Sequence, residues 1–148
     1  MTTRTRTVRW MAGTALLSVT LCATVGTGQA ADGPGLAQRV LAQPAEPRPK
    51  DCDANMLSLK ICAAAEFRQA DKALNTAYQA ARKEMPDDKA RALLLDAQRA
   101  WLKYRDAMCE WEGDGLYRDG SMSGLVILNC LTRVTTEQAK ALDNAIKP

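Results

Sequence analysis

Ala97-Gln98-Arg99-Ala100-Trp101-Leu102-Lys103-Tyr104-Arg105-Asp106-Ala107-Met108-Cys109 holds one of the chain's three Trp and ends just before another, Trp111. Its apolar residues follow a helical order. Ala90, Leu94, Ala97, Trp101, Tyr104, Met108 and Trp111 alternate in steps of four and three, which sets them on one face of an α-helix. A second stripe through Gln98, Leu102, Arg105 and Cys109 runs beside the first. The expected helix turns its aromatic face to a core and a polar edge to a neighbouring helix. It carries a thiol at its far end.

On the N-terminal side, a helix is expected from about Ala54 to Met85. Leu57, Ile61, Ala64, Phe67, Ala70, Leu74, Tyr78, Ala81 and Met85 line one side of it, with no Gly or Pro between them. Pro86 stops it, because the residue before a proline is pushed out of helical geometry. Asp87 or Asp88 then caps the next helix and places acid at its positive end. So short a connection makes the two helices an antiparallel hairpin. Counting outward from Pro86 sets Asp71 level with Trp101, Asn75 with the Gln98 level, and Cys62 with about Cys109 or Glu110. An Asp71–Arg105 ion pair beside an Asn75–Gln98 contact is expected at that seam, since partly buried charges are normally paired.

On the C-terminal side, Glu112 to Gly120 breaks the pattern with three Gly among charges and reads as a loop, with Leu116, Tyr117 and Arg118 on it. Ser121 is placed to cap a third helix from about Met122 to Ile146, with Leu125, Leu128, Leu131, Leu142 and Ile146 on its buried side. Thr135 with Gln138 resembles a capping box, so a bend or restart is expected there. The fold class is all-α, a small three-helix domain built on an antiparallel hairpin and braced by disulfides.

The N-terminus reads as an export signal over residues 1–30. Arg4, Arg6 and Arg9 precede an apolar or small run from Met11 to Val25, and Gly28-Gln29-Ala30 offers a cleavage site. The run is too short and too polar to favour a permanent span. Those three Arg account for the whole formal charge of +3, so the processed chain is neutral and lacks the basic field that nucleic acids require. Residues 31–51, with Pro34, Pro44, Pro47 and Pro49, read as a flexible tether ahead of a domain over 52–148. The protein is expected in the periplasm or secreted, with no stable membrane span after processing. A lipid anchor on Cys22 is disfavoured by the bulky Leu21 before it.

Beyond Cys22, four cysteines remain: Cys52, Cys62, Cys109 and Cys130. An even set in an exported chain favours two disulfides. There is no His and no CxxC, so zinc is disfavoured and no metal or cofactor is expected. Cys109 and Cys130 flank the loop, which favours that bridge with Cys52–Cys62 as the other. The hairpin register leaves Cys62–Cys109 open as a competitor. Without His, and with its thiols oxidised, the chain lacks the usual base and nucleophile, and its acidic loop matches no calcium spacing. A binding protein is expected rather than an enzyme, and a hydrolase is a remote reading. Leu116, Tyr117 and Arg118 are the candidate contacts with a protein partner.

The words Ala70-Asp71-x-x-Leu74-Asn75-x-x-Tyr78 and Ala97-Gln98-Arg99-Ala100-Trp101-Leu102-x-Tyr104-Arg105-Asp106-x-x-Cys109, with Cys62, Gly120-Ser121, Cys130-Leu131 and Thr136 to Leu142 in order, resemble the LprI-like family. The resemblance spans about Cys52 to Leu142 and departs at Gln138, where the family pattern commonly has Arg. It implies inhibition of a lysozyme. The alternative is a non-enzymatic structural or adaptor protein of the bacterial envelope. Asp71, Asn75, Tyr78, Gln98, Trp101 and Arg105 fall at the inferred seam and are read as structural.

Overall fold

The computed structural model describes residues 34–118 and 120–147. The expected export signal, its expected cleavage site and Cys22 lie outside the described residues. Four α-helices follow in order: α1 (Leu36–Ala42), α2 (Met56–Glu84), α3 (Asp88–Glu110) and α4 (Ser123–Ala145). A π-helical turn, Trp111–Gly115, extends α3. No strand occurs among the described residues.

α2 starts where Asn55 accepts a hydrogen bond from the Ser58 amide at 2.9 Å. It ends before Pro86, and Asp87 caps α3 by accepting from the Ala90 amide at 2.7 Å. α4 runs parallel to α2: Gly124 lies beside Lys60 at one end, and Ala139 and Leu142 pack with Leu74, Ala77 and Ala81 at the other. Ala63, Ala70 and Ala77 recur every seven residues on the buried side of α2, so little side chain separates it from α4. α3 runs antiparallel to both. The central layer of the core joins Phe67, Cys109, Ile127, Leu131 and Val134.

The expectations need correction at several places. Residues 36–42, assigned to the tether, form α1, and Leu36 and Ala37 are buried in the same core layer. The exposed chain after it is tied to α2 by Arg68, which donates to the Gln43 carbonyl at 2.9 Å. Leu57, assigned to the core stripe of α2, is exposed, and Ser58 and Cys62 turn inward instead. Ser121 does not cap α4; Met122 holds that position without a side-chain bond. α4 passes through Thr135 and Thr136 without a break, because Thr135 is fully buried and the helix beyond it keeps its apolar face through Ala139 and Leu142.

The largest correction concerns α3. Tyr104 and Trp111, placed on its buried face, are 58% and 55% exposed, whereas Gln98, Arg105 and Cys109 of the second stripe are its buried residues. Leu94 and Trp101 lie between and are half-buried. The disulfide and the ion pair of this helix both need the second stripe turned inward. They outweigh the transfer energy of two aromatic rings.

Candidate functional site

Two clusters carry the residues singled out in the sequence. One is internal. The Arg105 guanidinium, in a residue only 3% exposed, lies between two aromatic rings, 5.4 Å from the centroid of Trp101 and 5.9 Å from that of Phe67. Its Nε donates to Asp106 Oδ1 at 3.0 Å, and its Nη1 stands 3.9 Å from Asp71 Oδ1. Asp71 also accepts from Asn75 at 3.0 Å. Asp106 turns its other oxygen to α1 and accepts from the Ala37 amide at 3.4 Å. A Cβ on Gly35 would collide with that carboxylate, so any larger residue where α1 begins requires the Asp106 side chain to shift.

The Asn75–Gln98 contact is absent. Gln98 instead accepts from Gln138 of α4 at 3.5 Å, and Asn75 is exposed. The reason is the orientation of α3: with Gln98 turned inward, its amide faces α4. Tyr78 is half-buried against the lower core of Leu74, Ala77 and Leu142. Asp106 was not singled out as a site residue, although its pairing with Arg105 and α1 makes it the centre of the network. The one sequence signal was its place in the word Tyr104-Arg105-Asp106.

The second cluster is external. The expected loop is a π-helical turn, Trp111–Gly115, followed by a helical turn through Leu116 and Tyr117. Four contacts fasten it to α4. Cys109 is bridged to Cys130, with Cα atoms 5.5 Å apart. Arg133 donates to Glu112 at 2.7 Å. Ser123 donates to Asp114. Gly113 is buried against Ile127, where an added Cβ would clash with Ile127 Cγ1 and fall 3.1 Å from the Ser123 carbonyl oxygen. The other bridge, Cys52–Cys62, ties the segment ahead of α2 to that helix.

On this base Leu116 and Tyr117 are 59% and 48% exposed, with Trp111 and Met122 exposed near them in sequence. Arg118, also exposed, has φ 40, the left-handed region that costs a non-glycine residue about 1 kcal/mol. Backbone strain of this kind concentrates at functional sites. The turn gives large apolar and cationic side chains a rigid platform, and π-helical insertions also recur at such sites. Among the described residues no group of His, Cys, Asp or Glu could hold a metal ion.

The sequence model for lysozyme inhibitor LprI matches residues 50–142, more than half of the chain. The chain belongs to the LprI family. An uncharacterized protein of Rhizobium meliloti (strain 1021) is 38% identical over 111 residues, which cover 66% of this chain and 78% of that relative. No solved structure matches the chain. The LprI match takes in both bridges, the internal Arg105 network except Gly35 and Ala37, and the whole external turn.

Gly113 offers a direct probe of how the LprI turn is held. Gly113→Ala is expected to cost about 1–3 kcal/mol, because the new methyl overpacks Ile127 and meets backbone on its other side. Chemical denaturation measures this, and an unchanged midpoint would show that the turn shifts freely.

Proposed function

We propose that this chain is an exported, non-enzymatic binding protein that inhibits a lysozyme, and that the turn Glu112–Gly120 makes the contact. Family membership supports the lysozyme target. The observation that carries the choice of surface is the pair Leu116 and Tyr117, exposed on a turn fastened to α4 by a disulfide, an ion pair and a hydrogen bond. A pre-organised turn loses little freedom on binding, which leaves more of the contact energy as affinity. Tyr and Arg are enriched among the residues that dominate interfaces. The cleft of a glycoside hydrolase of this kind holds a pair of carboxylic groups. Arg118 beside an aromatic ring suits such a cleft, because a guanidinium can donate two parallel hydrogen bonds to a carboxylate. Export to the periplasm or beyond follows from the residue 1–30 signal reading. No described helix is long and apolar enough to cross a membrane.

The test is a titration of the purified, oxidised protein against lysozymes of several types. Stoichiometric loss of lysozyme activity is expected. The double substitution Tyr117→Ala and Arg118→Ala is expected to weaken inhibition by at least about tenfold, the scale of an interface hot spot, with an unchanged melting temperature. Inhibition untouched by the double substitution would move the contact elsewhere on the surface. No inhibition of any lysozyme at high molar excess would favour the envelope-adaptor reading.

A further inference from the structure

The described residues leave one apolar stripe of α3 uncovered. Leu93, Ala97, Ala100, Tyr104, Ala107 and Trp111 are all exposed, Leu93 by 63%, and they alternate in steps of four and three. That is the seam pattern of a helix pair. The stripe is about 27 Å long at 1.5 Å per residue, and it lies about 140° around the helix from the buried side that carries Arg105 and Cys109. A second helix laid along it clears the body of the domain.

The charges beside the stripe select the partner. On its solvent edge stand Lys89, Asp96, Lys103 and Glu110, all exposed, seven residues apart and alternating in sign. Consider a second copy of α3 laid antiparallel so that Asp96 meets Lys103 of that copy. The same register sets Lys89 against Glu110 of the second copy, and two-fold symmetry repeats both pairs. It also sets Tyr104 over Leu93 of the second copy, with Ala97 over Ala100 between them, where small side chains let the helices close.

The neighbouring registers fail. A slip of one heptad one way sets Lys103 against Lys103 and Asp96 against Glu110; the other way sets Asp96 against Asp96 and Lys89 against Lys103. A parallel pair would match the edge charges with positions that each helix turns into its own domain, Leu94, Trp101 and Met108. Within one copy, Asp96 and Glu110 have only long surface pairs, with Arg99 and Arg39, each at 3.8 Å. Exposed pairs of that length contribute little and exchange readily.

We propose that two copies of this chain associate through α3 as an antiparallel, two-fold symmetric pair in this register. One helix pair buries less area than most stable interfaces, so the dimer is weak and depends on concentration.

Sedimentation velocity on the purified protein with both disulfides formed, from about 1 μM to about 1 mM, tests it, because weak interfaces fall in that range. A monomer–dimer equilibrium that weakens with added salt is expected. Asp96→Lys alone and Lys103→Asp alone are each expected to weaken the dimer at least about tenfold, since each sets like charges together twice. The two combined are expected to restore it, because the swapped charges again face opposites. Tyr104→Glu is expected to abolish it. All three positions are exposed, so unchanged melting temperatures confirm intact folds. A monomer at every concentration overturns the proposal, and so does a double variant no stronger than the singles.

Discussion

Arg105→Ala is expected to destabilise the domain by about 3–5 kcal/mol, the range found when one member of a buried ion pair is removed. The side chain is 4% exposed, so solvent screens its interactions little. Its loss leaves Asp106 with the Ala37 amide as its remaining partner and Asp71 with Asn75. It also opens a cavity between Phe67 and Trp101, the rings on which the guanidinium lies. Arg105→Met separates the two contributions. Methionine refills much of the volume but still strands two carboxylates, so it is expected to recover a minor part of the loss. Arg105→Lys keeps the charge without the flat guanidinium and is expected to fall between the two. Urea unfolding of the three variants gives the order. If Arg105→Met were as stable as the native chain, packing alone would explain the site and the ion network would count for nothing.

The parts of this fold that were legible in the sequence are those decided by neighbours in the chain. Pro86 and Asp87 end one helix and begin the next with bonds that span no more than three residues, so the hairpin could be read directly. α1 could not. It has seven residues and lies between prolines, and the acid that receives its N-terminus, Asp106, is 69 positions away. Periodicity showed that α3 carries two stripes but not which one turns inward. Hydrophobicity pointed to Tyr104 and Trp111. The answer depended on distant partners: Asp71 for Arg105, Cys130 for Cys109 and Gln138 for Gln98. In sequence the turn after α3 reads as a plain loop because its three glycines resemble one. Gly113 is there for close packing against α4, which only the placement of Ile127 reveals.

Removal of the Cys109–Cys130 bridge by a double Ser substitution is expected to cost about 3 kcal/mol from loop closure alone, since the bridge closes a segment with a sequence separation of 21. Both sulfurs are in the central core, so two buried hydroxyls without assured partners add to that cost. The effect on binding follows from where the bridge sits. It is the covalent member of the four contacts that hold the Glu112–Gly120 turn, and the other three, at Glu112, Gly113 and Asp114, lie within five residues of it. Without it those contacts hold a looser turn, and ordering Leu116, Tyr117 and Arg118 on a target costs about 0.5–1.5 kcal/mol for each flexible side chain immobilised. Inhibition by the double-Ser protein, measured well below its lowered melting temperature, is therefore expected to weaken about tenfold. The Cys52–Cys62 bridge supplies the control, because it joins the segment ahead of α2 to that helix and neither of its cysteines belongs to the turn or to α4. Its double-Ser variant should lose stability while inhibiting as the native protein does. Equal loss of inhibition in both variants would tie the activity to global stability and remove the turn from the mechanism.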